Sequence, residues 1–140
     1  MHATQSLILI DFEANIVSVT ANIDGFTHDS CSAYCNRKFF QKALSGKLAL
    51  GDTGFQGVPY VVAGYKTNQL RSPAHKVFDK ISRSEQVVIE HVNQFLKQKV
   101  SIGKYTNFKH DQAKQSACVI ICCGWYNFMK QEFGKYKYNC

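Results

Sequence analysis

Apolar positions along this chain recur with two different periods, and the changes of period mark out its elements. Residues 7–11 and 15–20 are apolar, β-branched runs joined by the short polar link Phe12-Glu13-Ala14, the signature of a β-hairpin. A turn-rich segment, residues 22–30, leads into residues 34–44. There Phe39, Phe40, Ala43 and Leu44 fall at helical spacing with Arg37, Lys38 and Lys42 between them, which predicts an amphipathic helix. Ser45-Gly46 ends that helix, and residues 47–50 form a short apolar strand running straight into Gly51-Asp52-Thr53-Gly54. A second short strand is predicted at 60–63, followed by a loop to Pro73. A long helix then covers 80–99, with Val88, Val92, Phe95 and Leu96 as its apolar face. The last pattern, residues 112–128, carries Ala113, Ala117, Ile120, Ile121 and Trp125 in a helical stripe expected to pack across the sheet.

This order of hairpin, helix, strand and helices predicts an α/β fold, a mixed sheet flanked by helices. Ligands in open α/β sheets gather outside the carboxyl ends of the strands. Asp52, directly after a predicted strand, therefore stands at the expected edge of a site.

Composition narrows the class. A chain of 140 residues with 45% hydrophobic content can bury one core, since about 68% of the extended-chain surface is lost at that size. No run approaches the roughly 18 apolar residues of a membrane span, so a soluble intracellular protein without a membrane partner is expected. The cysteines, Cys31, Cys35, Cys118, Cys122, Cys123 and Cys140, form neither an evenly spaced disulfide framework nor paired CxxC knuckles. Free buried thiols are the expectation, although Cys118 and Cys122 would share a helix face where a soft metal could bind. The net charge of +7 is unevenly placed: residues 1–60 hold four Lys/Arg against five Asp/Glu, and residues 61–140 hold thirteen against five. A second half so basic suits a polyanion, because each phosphate neutralised by Lys or Arg releases a condensed counterion, although a basic solvated surface explains the charge equally well.

On the long helix, Arg83, Glu90 and Lys97 stand seven apart on one face, with Asn93 and Gln94 beside them. Taken alone, such a stripe is what any solvent-facing helix carries. The segment GDTGFQG, residues 51–57, could by itself pass for a phosphate-binding glycine loop of a nucleotide-binding protein, but the Lys and Ser/Thr of a P-loop do not follow it.

The combination is more specific. An acidic residue at a strand end within GDTGF, followed by a helix reading VVIEHVNQFLK over residues 87–97, resembles the DDE superfamily endonuclease domain of Harbinger-type transposases and their insertion-sequence relatives. In that family a strand ends in G-D-[ST]-G-[YF] with the second catalytic Asp, and a later helix carries the catalytic Glu. The match falls on Asp52 and Glu90. Gly25-Phe26-Thr27-His28-Asp29-Ser30 resembles the family's G-S-x-H-D-S stretch, and Lys97 stands where related transposases keep a Lys.

The resemblance implies a ribonuclease H-like fold over residues 1–129, with 130–140 a polar tail. It also implies Asp52 and Glu90 as carboxylate ligands to Mg²⁺ or Mn²⁺, and DNA as the partner, with Lys97, Asn93 and Arg83 toward the substrate. Hard cations take oxygen donors, and a pair roughly 4 Å apart can activate an attacking oxygen and stabilise a leaving one in phosphodiester cleavage or strand transfer. Two departures follow. The family's first Asp lies on a strand before the hairpin, whereas this chain opens His2-Ala3-Thr4-Gln5 directly ahead of it. Gln86 stands four residues before Glu90, where relatives carry Arg.

The expectation is therefore a partial domain lacking its first strand and first carboxylate, inactive alone on DNA, with a catalytically silent DNA- or partner-binding domain as the alternative. The upstream carboxylates that could complete the site are Asp11, Asp24 and Asp29; Asp11 lies at the hairpin turn, whereas the resemblance implies that Asp29's loop lies near the site, its other role being to cap the helix after it. A homo-oligomer or a second chain supplying DNA recognition would complete the assembly. The nucleus is implied for a eukaryotic host and the cytoplasm otherwise.

Overall fold

The computed structural model describes residues 4–99 and 111–132, which divide into two compact units. One comprises the described residues up to Phe26 together with those from Ile89 onward, and the other spans Thr27–Val88.

In the first unit, β1 (Thr4–Ile10) and β2 (Ile16–Asp24) form the expected antiparallel hairpin. Its turn is built by Asp11. Oδ1 accepts the backbone N–H groups of Glu13 and Asn15, both at 2.9 Å, and Oδ2 accepts the Asn15 amide at 2.9 Å. This lets Ala14 sit at a left-handed φ of 64°. Burial of the Asp11 carboxyl pushes its pKa up, but the bonds from Asn15 and Glu13, with the Lys130 charge nearby, outweigh that and hold it below the usual value.

Helix α4 (Gln112–Glu132) packs on this hairpin, as expected, but through a different face. The predicted stripe is solvent-facing: Ile120, Ile121 and Trp125 are 52%, 68% and 53% exposed. The buried positions are Gln115, Cys123 and Tyr126. The reason is polar. Asn127 brackets Ile16 like a neighbouring strand, accepting its N–H at 2.9 Å and donating to its carbonyl at 2.7 Å. The Tyr126 hydroxyl donates to the Ala14 carbonyl at 2.8 Å, and Lys130 donates to the Asn15 side chain at 2.7 Å and to the Glu13 carbonyl. Satisfying these backbone groups at the hairpin turn fixes the rotation of α4 against the pull of its most apolar stripe.

The second unit holds α1 (Asp29–Cys35), α2 (Arg37–Leu44), β3 (Ala49–Gly51), β4 (Val61–Ala63) and the first part of α3 (Pro73–Lys99). The single helix expected at 34–44 is two helices meeting at Asn36, whose amide donates to the Ser32 carbonyl at 2.9 Å and so caps the first while the second begins. Ser45, left-handed at φ 50°, closes α2. Strands β3 and β4 pair in parallel, Ala49 opposite Val61 and Gly51 opposite Ala63. The buried Tyr60, its ring stacked 6.2 Å from Phe40, donates its hydroxyl to the Ala33 carbonyl at 2.7 Å and ties α1 to the start of β4.

The class is α/β, yet among the described residues the strands form two separate two-stranded sheets rather than the one mixed sheet expected. Helix α3 begins seven residues earlier than its apolar periodicity suggests, because its first turns turn a polar face inward. Asp79 and Ser82 are buried and Gln86 half-buried, while Val77 and Ile81 are each 58% exposed. Farther along, Val92 and Leu96 are buried in the first unit as predicted. No helix among the described residues is long and apolar enough to cross a membrane.

Candidate active site at the strand ends

Asp52 is the first residue past β3, exposed and in extended conformation (φ −75°, ψ −177°). It caps the short 3₁₀ turn Thr53–Phe55: its Oδ1 accepts the Gly54 N–H at 2.9 Å. One carboxylate oxygen is thereby anchored on the backbone, which orients the other.

Two glycines of the motif are demanded by close approach. A Cβ on the buried Gly51 would lie 2.7 Å from the Val61 side chain and 3.1 Å from the Phe55 ring, so only glycine lets the 3₁₀ turn fold back over the parallel pair. A Cβ on Gly54 would lie 3.1 Å from Asp52 Oδ1 and 3.2 Å from Asp29 Oδ2. The bare backbone of Gly54 thus forms a cradle bordered by two carboxylates. The structure brings Asp29 together with Asp52, from segments 23 positions apart in sequence. Asp29 is the first residue inside α1, with His28 at the cap position, so it does not act as the N-cap.

The strand ends are held by amides. Gly51 presents its carbonyl to the Gly64 N–H at 3.2 Å and to Gln86 Nε2 at 2.8 Å, and Gln86 also donates to Ser82 Oγ at 3.3 Å. Gln56 Nε2 donates to the Gly64 carbonyl and to Gln69 Oε1, each at 2.8 Å, and Gln69 Oε1 accepts the Lys66 N–H at 2.8 Å. These bonds fasten the loop after β4 to the GDTGFQG segment. A cleft of about 300 Å³ adjoins the motif, lined by Ser30, Cys31, Tyr34, Cys35, Gln56, Gly57 and Val58. Cys31 and Cys35 are exposed thiols, contrary to the buried role expected of the cysteines, while Cys123 is buried and Cys118 and Cys122 are half-buried.

Arg83 is exposed and paired through Nε with Asp79 Oδ2 at 2.8 Å. Glu90 is exposed and Asn93 half-buried on the stretch of α3 that belongs to the first unit. Lys97 is helical, but its side chain lies outside the described residues. Asp79 escaped the sequence reading, and Gln86 entered it only as a departure from the family pattern. Gln86 was visible as an amide one turn before Glu90, and Asp79 as an acid four before Arg83, but neither spacing says that its side chain is turned inward.

As donors, Asp29 and Asp52 are carboxylates, the chemistry that hard divalent cations take, and both border the bare backbone of Gly54. Among the described residues no three of His, Cys, Asp and Glu gather into one metal group.

A family model described as DDE superfamily endonuclease matches residues 1–127, a span that includes Asp29, Asp52, the parallel pair and all of α3. No curated protein and no solved structure matches the chain. With the acidic residue at a strand end inside its glycine motif, and a match running over most of its length, the chain belongs to the DDE superfamily endonuclease family.

Proposed function

We propose that this chain is a partial ribonuclease H-like nuclease domain whose intact relatives act on DNA phosphodiester bonds with a divalent cation, Mg²⁺ or Mn²⁺; the resemblance assigns the carboxylate roles to Asp52 and Glu90, and Asp29 stands beside Asp52. The observation that carries this reading is the convergence of Asp29 and Asp52 on Gly54 at the carboxyl end of a parallel strand. Carboxylate oxygens from two segments bordering one backbone position are the donor type that a hard divalent cation takes.

When bound, such a cation polarises a phosphoryl oxygen and lowers the pKa of water. The chain's own residues do the rest. The Gly54 N–H fixes the Asp52 carboxylate, and Gln86 fixes the carbonyl before it. The basic second half of the chain, with Arg83, Asn93 and Lys97 on α3, draws and orients the phosphate backbone.

The test is cleavage of duplex DNA with Mn²⁺ by the purified chain, alongside Asp52→Ala, Glu90→Ala and Asp29→Ala. Activity that Asp52→Ala and Glu90→Ala abolish supports the enzyme, and loss with Asp29→Ala places that residue in the site. A second reading, a DNA- or partner-binding domain without turnover, is favoured by the donor count at Gly54, which is two. It predicts DNA binding that weakens steeply with salt while no variant changes a cleavage rate already at background.

A further inference from the structure

The inward face of α3 in the second unit is polar where a packed helix is normally apolar, and its deepest charged group is Asp79. This residue is 9% exposed. Its Oδ1 lies 3.7 Å from where a Cβ on Gly64 would stand, and the Thr53 methyl lies 3.8 Å from the same point. Gly64 in turn bonds Gly51. The Asp79 carboxylate is therefore seated against the strand ends, one residue beyond Asp52.

An ionised carboxylate taken out of water is costly unless it is paired, and Arg83 supplies the pair through Nε at 2.8 Å. An ordinary helix-surface pair four residues apart exposes both partners to water and contributes little. Here the arrangement is lopsided: the Asp79 side chain is 12% exposed and that of Arg83 66%. Arg83 reaches the pair through Nε, and its largely exposed side chain also carries the Nη1 and Nη2 fork, whose planar geometry suits bidentate phosphate binding.

We propose that Asp79 is a positioning residue, which holds the Arg83 guanidinium rigid at the rim of the Asp52 strand end so that its Nη fork takes a DNA backbone phosphate. This rests on the DNA reading above. A flexible arginine loses rotamer freedom on binding, whereas one already clamped has lost much of it beforehand.

The sign of one substitution separates this from simple electrostatics. Asp79→Asn removes a negative charge beside the site, so bulk attraction predicts tighter DNA binding. Positioning predicts weaker binding by about three- to ten-fold, because Arg83 keeps its charge but loses its clamp. Binding of a fluorescent duplex would be followed by anisotropy across a salt series. Four variants enter the comparison: Asp79→Asn, Asp79→Glu, Arg83→Gln and the Asp79→Asn/Arg83→Gln pair.

The expected result is that Asp79→Asn and Arg83→Gln weaken binding and each flatten the salt dependence by about one phosphate. The pair should then be no weaker than Arg83→Gln alone. Asp79→Glu, which keeps the charge but moves the carboxylate by one methylene, should also bind more weakly, and it serves if Asp79→Asn melts below the assay temperature. Tighter binding by Asp79→Asn, or equal losses from it with and without Arg83, would overturn the positioning role while leaving DNA as the partner. Absence of any binding by the unaltered chain at low salt would overturn the DNA reading and this inference with it.

Discussion

Gln86 and Gly51, 35 positions apart, are joined by a hydrogen bond from the amide Nε2 to the carbonyl oxygen at 2.8 Å. That carbonyl belongs to the residue before Asp52, so the bond tethers helix α3 to the backbone that carries the candidate ligand. An amide suffices for this tether because the acceptor is a neutral carbonyl. Gln86→Leu keeps the approximate volume and removes the donor. It should cost about 1 kcal/mol in urea unfolding, since Gly51 retains its bond from Gly64. An unchanged midpoint would show that the tether contributes nothing in solution.

Gly54→Ala should separate site from fold. Gly54 is exposed, and the atoms nearest the added methyl are all side chain: the carboxylate oxygens of Asp52 and Asp29 at 3.1 and 3.2 Å and the Asp29 Cβ at 3.8 Å. Stability should change by less than about 1 kcal/mol. Mn²⁺ affinity, followed by electron paramagnetic resonance of the free ion, should fall several-fold because both oxygens must move aside. Equal affinity in the variant would count against a cation between these two carboxylates.

The hairpin turn should be acid-sensitive. The folded Asp11 carboxyl has a lowered pKa, so folding favours its ionised form. Its contribution is present above the unfolded value of about 3.9 and is lost as pH falls through the folded value. Thermal melts from neutral pH down to about pH 3 should show a decline that Asp11→Asn reduces. If the two proteins lose stability in parallel over that range, Asp11 is not the group responsible.

Asn127→Ala removes two bonds to one residue, leaving the N–H and carbonyl of the buried Ile16 without their partner. The expected cost is about 2 kcal/mol or more, because stranding a buried backbone group costs more than losing an exposed bond. Hydrogen exchange at Ile16 should accelerate in the variant. Protection equal to that of the unaltered chain would place the seat of α4 elsewhere.

Local signals in the sequence were strong for some elements. Two apolar, β-branched runs around the short link Phe12-Glu13-Ala14 specify the hairpin, and Asp11 at the end of the first run holds the turn by bonding to neighbours two and four positions away. The GDTGF motif announced a carboxylate at a strand end, and its glycines answer to close side-chain approaches that a Cβ would obstruct. Val92 and Leu96 followed from helical period alone.

Other features were decided only when distant segments met. The rotation of α4 was set by Asn127 and Tyr126 reaching backbone groups more than 110 positions away, which overrode an apolar stripe that the period favoured. The inward turn of Asp79, Ser82 and Gln86 depended on acceptors and space at the strand ends, so their polar character pointed to solvent until the fold supplied partners. The sequence could name Asp29 and Asp52 separately. Their meeting at Gly54 belongs to the tertiary structure, because a one-dimensional pattern records which side chains share an element's face but not which elements share a point in space.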